Sequence, residues 1–556
     1  MVANRFRVMA KRLWHSFSIA GLLLGTLFFA ASLTPSLLPR TFVTQGLLSG
    51  VCLGAGYGIG AFGGWLWTWM ALMRPDGRFM RGVTLVAAAG CAIVAIVSLR
   101  HAAEWQNSIR ALMGLAPVDT AHPLKVSLIA LAVFAILIVL ARFFRVTIRL
   151  VATGANRFLP ARVSRVVGVI AAAALFWAAF NGILFRAALR AAEASFREFD
   201  ALIEPERDRP TDPVMTGSSA SLLAWDKLGR AGREFIASGP ARHDISALTG
   251  RAARQPVRVY VGLRSAGTPE ARARLALEEL KRVGGFERPV LIVITPTGTG
   301  WVDPAALDSV EYLHEGAVAS VAVQYSYLAS WLYLLGDPGH GADTARAVFR
   351  EIYGYWLTLP RNARPKLYLY GISLGARNSE ASMDLNEVRS DPFDGALWAG
   401  PPYSSTLWRS FTDHRNPGSP AWLPRFGDGS FVRFINQHGE FADPAAGPSA
   451  AWGPMRIVYL QYASDPATFF DYRSFYRAPD WMHPPRGPDV SPQMRWYPVV
   501  TFLQLTLDMF RATDAPIGFG HVYAPADYID AWTQVTDVRG WSAADIARLK
   551  EHLAKR

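Results

Sequence analysis

The chain has 556 residues, 51% of them hydrophobic, with 57 Lys and Arg against 44 Asp and Glu and a formal net charge of +13. That length exceeds one ordinary domain and the apolar content is ample for a large core. The basic excess does not indicate nucleic acid, because the arginines punctuate hydrophobic runs and form no patch interleaved with aromatics on a soluble domain.

Charge divides the chain near residue 200. Residues 1–199 hold 20 of the Lys and Arg but 5 of the Asp and Glu, a net +15, and the remainder holds 37 against 39, a net −2. Long apolar runs fill the first part; turn residues, charges and short alternating segments fill the second. Cys52 and Cys91 both fall inside apolar runs, where they read as packing residues and carry no redox signal.

Five stretches, 17–38, 45–73, 82–99, 124–143 and 166–189, come near or exceed the length a bilayer core requires, about 20 apolar residues per helix. The first follows Arg5, Arg7, Lys11 and Arg12, but it is long and lacks a small-residue cleavage site, so it reads as a retained span and not as a signal peptide. Basic residues then cluster at Arg74, Arg78 and Arg81 and at Arg142, Arg145, Arg149, Arg157, Arg162 and Arg165. With five spans these clusters and the N-terminal arm share the cytoplasmic side of an inner membrane, and everything after about residue 190 lies outside the cytoplasm. An even number of spans would reverse that side. Few ionisable groups lie deep in the spans, which argues against an ion or proton pathway and leaves anchoring or substrate delivery as the bundle's role. The expected organisation is therefore a multi-domain membrane protein: an all-α transmembrane bundle over 1–190, a Pro-containing connector over 191–250, and a globular domain over 251–556.

In that domain β-rich runs at 257–263, 290–295, 318–324, 367–370, 395–399, 431–435 and 457–462 alternate with helical patterns, notably at 269–283 and 342–357. Such alternation specifies a mostly parallel sheet flanked by helices, and runs apolar on both faces, such as Leu291-Ile-Val-Ile294, suit buried central strands.

One motif carries chemistry. The run LYLYGISLGA at 367–376 is a short strand entering G-x-S-x-G and leaving as a helix. In such a turn the flanking glycines leave room for a bend that lifts the serine oxygen above the sheet at a helix N-terminus, so Ser373 is the candidate nucleophile. A base and a group to orient it should follow in the order Ser, acid, His. Asp465 lies just past the apolar run ending at Tyr462, and His521 lies in the Gly-rich stretch Gly518-Phe-Gly-His521. Asp443 and Asp471 compete for the acid, and His414, His438 and His483 for the base. The oxyanion of an acyl transfer needs two backbone donors: Leu374, directly after the nucleophile, and Thr297 or Gly298 in the loop after the second strand. That loop, PTGTGW at 296–301, lacks the Lys-Ser/Thr of a phosphate-binding loop and the third glycine of a dinucleotide fingerprint.

The runs SLTPSLLPR at 32–40, TPTGTGW at 295–301, QYSYL at 324–328, GISLG at 371–375, GPPY at 400–403 and PGSP at 417–420 together resemble the bacterial predicted membrane proteins of the alpha/beta-hydrolase family with an N-terminal transmembrane domain. The resemblance spans nearly the whole chain. It implies an α/β-hydrolase fold, membrane residence and hydrolase chemistry without a substrate; the family pattern often has an acidic residue after the first glycine of the elbow, where this chain has Ile372. The expected activity is that of a serine esterase or lipase without metal or organic cofactor. A lipid or amphiphilic ester is the expected substrate, since the protein reads as membrane-embedded and its soluble part is rich in aromatics such as Trp398, Trp408, Trp422 and Trp452, although burial in a core is the commoner explanation of such tryptophans. An acyltransferase using the same triad, and a non-catalytic scaffold or transport component retaining the fold, are the alternatives. Oligomeric state is not encoded in any of these signals.

Overall fold

The computed structural model describes residues 17–72, 77–179, 182, 185–204, 207–330, 332, 339–384, 388, 390–440 and 447–555. The chain divides into two units. One comprises Met1–Phe185, Phe470–His483 and Pro488–Arg511; the other comprises Arg186–Phe469, Pro484–Gly487 and Ala512–Arg556.

The first unit is helical: α1 Ile19–Ser32, α2 Phe42–Trp69, α3 Gly77–Leu112, α4 Pro123–Ala155 and α5 Ala161–Trp177. Ser18 and Thr41 cap α1 and α2, each accepting a backbone N–H of the first turn through its side-chain oxygen. Among the described residues α2, α3 and α4 are long and apolar enough to cross a membrane. Of the five expected spans, then, the second, third and fourth meet that criterion. The first lies on a helix of 14 residues and the fifth runs from the 17-residue α5 through the π-helical residues 178, 179 and 182 to the start of a further helix at Phe185, with Arg74, the basic N-terminal arm and residues 180, 181, 183 and 184 outside the described residues. Close packing between α2 and α4 rests on glycine. A Cβ on Gly46, Gly50 or Gly54 would lie 2.7, 2.6 and 2.6 Å from Ile129, Val133 and Leu137, so small residues one turn apart let the helices approach where hydrophobicity alone gives no drive to associate.

A buried polar cluster joins this bundle to Val500–Phe510, a helix from far along the chain. Ser32 O accepts from Arg40 Nη1 (3.1 Å), Gln45 Nε2 (3.1 Å) and Gln504 Nε2 (3.4 Å), while Asp508 Oδ2 accepts the N–H groups of Leu37 (2.9 Å) and Leu38 (3.3 Å). The irregular backbone between α1 and α2 thereby has partners inside an apolar setting, where water could not supply them.

The second unit is built on one eight-stranded sheet. Its strands are β1 Val257–Val261, β2 Val290–Thr295, β3 Val318–Val323, β4 Lys366–Ile372, β5 Gly395–Ala399, β6 Val432–Asn436, β7 Gly439–Glu440 and β8 Arg456–Leu460. Their order is β1-β3-β2-β4-β5-β8-β6-β7, parallel throughout except for the β6–β7 hairpin. β2 and β3 are buried at every residue, as their apolar sequences require. Each fully buried Leu or Ile there is worth about 1.5–3 kcal/mol.

The helices of this unit are α6 Phe185–Ala201, α7 Gly229–Ala237, α8 Arg242–Thr249, α9 Pro269–Arg282, α10 Pro304–Leu313, α11 His340–Thr358, α12 Leu374–Glu380, α13 Thr406–Asp413, α14 Pro525–Val535 and α15 Ala543–Ala554. α6 begins at Phe185, the last residue of the helical unit's first segment. The stretch 191–250, expected as a connector, holds α7 and α8 and buries Trp225, Leu228, Phe235 and Ile236. Its apolar residues are too few and too scattered among charges to announce a core segment by periodicity. Arg258 on β1 is buried with Asp308 and Glu311 of α10, its Nη2 2.9 and 2.7 Å from their carboxylates.

Register sets the site. Thr295 pairs with Gly371, Ile372 with Ala399 and Ala399 with Leu460, so the carboxyl ends of β2, β4, β5 and β8 form one row across the sheet. Loops leaving such a row are where parallel sheets hold ligands and reacting groups.

Candidate active site

Ser373 stands between β4 and α12 with φ 56° and ψ −126°. A non-glycine residue at positive φ is strained, at a cost of about 1–3 kcal/mol. The surroundings hold it there: Ser373 N–H donates to Ala399 O at 3.0 Å, and Arg377 N–H closes the first turn of α12 on Ser373 O at 3.2 Å. Both flanking glycines are required. A Cβ on Gly371 would lie 2.4 Å from Gly375 C, and one on Gly375 would lie 2.2 Å from Thr295 O. The second contact also shows that the elbow abuts the end of β2, where the loop of Thr297 and Gly298 begins.

Asp465 and His521, 56 residues apart in sequence, meet: His521 Nδ1 lies 2.7 Å from Asp465 Oδ2. Asp465 is fully buried and N-terminal to the short turn Pro466–Phe469, whose backbone supplies N–H groups from Ala467 (2.8 Å) and Thr468 (3.4 Å) to Oδ1. Thr468 Oγ1 donates to Oδ2 at 3.1 Å, and Tyr523 Oη donates to the same oxygen at 2.7 Å. The imidazole is clamped against Gly400, where a Cβ would come within 2.6 Å of His521 Cε1. Ser373 and His521 therefore border the same short turn, the one through its bond to Ala399 O and the other through its contact with Gly400. With Nδ1 donating to the carboxylate, Nε2 is the acceptor nitrogen of the neutral ring; it is buried and has no hydrogen-bond partner among the described residues. Burial works to lower the pKa of His521, but the charge and hydrogen bond of Asp465, with a further contribution from Asp303, outweigh it and hold the imidazole above its ordinary value.

Leu374 is the first residue of α12, so its N–H has no carbonyl within the helix to bond. Its side chain packs with Tyr325 and Leu328, against which Leu189, Ala192 and Phe196 of α6 also lie. In the loop after β2, Thr297 N–H donates to Trp301 O at 2.9 Å and Gly298 N–H reaches Ser330 Oγ at 3.3 Å. Both amides thus have partners in this conformation, the first through a tight turn and the second through a hydroxyl.

Three contributors went unsignalled in the sequence. Tyr523 lies two residues past His521 in a stretch without a motif. Gly400 was visible only as part of the GPPY run. Asp303, the N-cap of α10, follows the loop of Thr297 and Gly298; its Oδ2 accepts from Tyr528 Oη at 2.9 Å. Burial pushes the Asp303 carboxyl up to about 6, against the opposing hydrogen bonds of Tyr528 and the Ala305 N–H. Of the competing residues, Asp471 pairs with Arg473 at 2.9 Å and His414 is exposed with Nδ1 on Ser410 O, while Asp443 lies outside the described residues. His438 and His483 are exposed. Among the described residues no group of His, Cys, Asp and Glu is placed to hold a metal ion.

Comparison with known sequences bears on both parts of the chain. Residues 33–240 match the model of the alpha/beta-hydrolase family N-terminus, and residues 257–549 match that of the alpha/beta-hydrolase family itself. No curated protein and no solved structure matches the chain. Because the second match alone takes in more than half of the 556 residues, including the sheet and Ser373, Asp465 and His521, the chain belongs to the alpha/beta-hydrolase family.

Proposed function

We propose that the protein is a membrane-bound serine hydrolase that cleaves an acyl ester, of a lipid or another amphiphile, through an acyl-enzyme on Ser373. The observation that carries this reading is the 2.7 Å bond from His521 Nδ1 to Asp465 Oδ2, which leaves Nε2 as the ring's proton acceptor on the turn that Ser373 also borders. In the reaction Ser373 Oγ bonds to the acyl carbon as its proton passes to Nε2. The tetrahedral intermediate collapses, the bond from carbon to the leaving oxygen breaks, and the imidazolium returns the proton to that oxygen. Water then repeats the sequence on the acyl-enzyme. Asp465 stays ionised throughout and holds the ring, and the scheme uses no metal or organic cofactor.

The oxyanion would take the N–H of Leu374 and that of Gly298, whose present partner, a serine hydroxyl at 3.3 Å, a substrate oxygen can replace. Thr297 is the lesser candidate because its N–H closes the turn on Trp301. The apolar wall of Leu189, Phe196, Tyr325 and Leu328 beside Leu374 favours an acyl chain, and the apolar helices α2, α3 and α4 favour a substrate drawn from a bilayer. The same reading makes 1–190 a multi-pass inner-membrane bundle of five spans and 251–556 a catalytic domain outside the cytoplasm.

The test is a fluorescent fluorophosphonate applied to membranes carrying the wild type, Ser373→Ala or His521→Ala. Labelling of the wild type alone supports the reading; a folded wild type that stays unlabelled, or a Ser373→Ala variant labelled equally well, refutes it.

A further inference from the structure

We propose that Tyr523 is a positioning residue of the Ser373 centre: its hydroxyl and the imidazole of His521 share one carboxylate oxygen, so the phenol governs how much of the Asp465 charge reaches the ring. The proposal rests on the reading of Ser373 as nucleophile and His521 as base.

The geometry is that of an over-subscribed acceptor. Asp465 Oδ1 is committed to the backbone N–H groups of Ala467 and Thr468. Oδ2 alone takes His521 Nδ1 at 2.7 Å, Tyr523 Oη at 2.7 Å and Thr468 Oγ1 at 3.1 Å. One oxygen has two lone pairs, so three donors compete for its density. The two at 2.7 Å are both short, as charge-assisted bonds are. A bond from Tyr523 therefore weakens the pull of Oδ2 on His521 while fixing where that oxygen lies.

Tyr523 is built to stay in place. It is buried and stacks on Tyr462 with ring centroids 4.5 Å apart, and Tyr462 is itself anchored by donating to Asp527 and accepting the Ala524 N–H at 2.9 Å. The His521 and Tyr523 rings meet edge to face at 5.9 Å. Burial, reinforced by the neighbouring Asp465 charge, holds the phenol well above its ordinary pKa, so it remains a donor at every pH at which the site would work. The titratable groups facing His521 are Asp465 and Asp303, and those facing Tyr523 are Asp465, Tyr462, Tyr528 and His521.

The measurement is the rate of fluorophosphonate labelling of the full-length protein in detergent from pH 5 to pH 10. Tyr523→Phe keeps the stacked ring and removes only the hydroxyl, so a packing role would leave the profile unmoved. With the hydroxyl gone, Oδ2 holds the imidazolium more strongly and wanders more. The midpoint should rise by about half a unit or more, and the plateau should fall about tenfold, the loss of roughly one charge-assisted hydrogen bond. Tyr523→3-fluorotyrosine, nearly isosteric and a stronger donor, should move the midpoint the other way, and it gives the answer if the phenylalanine variant does not fold. Opposite shifts in the two variants support the proposal. Wild-type midpoints and plateaus in both overturn it while leaving Ser373 as the nucleophile; an unlabelled wild type overturns the reading of the centre and this proposal with it.

Discussion

Alanine at position 375 tests the packing of the elbow without reference to any substrate. In Gly375→Ala the new Cβ would lie 2.2 Å from Thr295 O and 3.0 Å from Pro296 O. Close C···O approaches in proteins run at about 3.3–3.6 Å, so one side must give by roughly 1 Å. Neither oxygen belongs to a side chain that can rotate away; both are backbone atoms at the end of β2 and the start of the loop carrying Thr297 and Gly298. Overpacking of this kind costs about 1–3 kcal/mol, and the immobile partner puts the expected loss at the upper end. The control is the same methyl at Gly354, in the interior of α11 with nothing within 4 Å of the added carbon, where Gly→Ala should stabilise by about 0.5–1 kcal/mol. Urea unfolding followed by tryptophan fluorescence reads both, since Trp398 and Trp532 are buried in this unit. Fluorophosphonate labelling should fall only in Gly375→Ala. A Gly375→Ala protein as stable as the wild type would falsify the argument from close approach, and equal destabilisation by Gly354→Ala would show that the cost does not come from the contact.

Arg258→Ala should cost about 3–5 kcal/mol in the same unfolding assay, because it removes the cation that two buried carboxylates, Asp308 and Glu311, share; a loss below 1 kcal/mol would mean that water reaches the pair. Asp303→Asn tests the raised acid. With a folded value of about 6 above its unfolded one, the group's stabilising contribution is full below pH about 4 and is lost as pH rises through about 6, a change of about 3 kcal/mol. The stability of the variant relative to wild type should therefore improve between pH 4.5 and pH 7.5, and a difference independent of pH would contradict the burial argument.

Much of the second unit was legible along the chain. The central strands are continuous apolar runs, and those expected at 290–295 and 395–399 appear as β2 and β5 with the same bounds. The elbow was legible because its demands are local: two glycines around a serine, after a strand and before a helix, state their own geometry. The antiparallel strand β7 was not expected, since two residues closing a hairpin carry no period. The second, third and fourth apolar stretches lie on helices long and apolar enough to span, and the first lies on a helix of 14 residues that is shorter than the stretch itself, because hydropathy measures composition and does not mark where a helix stops.

By itself the sequence determined the division into a basic apolar part and a near-neutral one, the alternation of strands and helices, and the serine at a strand-to-helix turn. These properties are written in neighbouring residues through backbone preference and hydrophobic period. Only the tertiary structure decided that Asp465 and His521 lie 2.7 Å apart, that Tyr523 takes the same carboxylate oxygen, and that Gln504 and Asp508 bond the loop between α1 and α2. Residues tens or hundreds of positions apart meet only when the register of parallel strands and the packing of distant helices bring them together, and no local pattern encodes that distance.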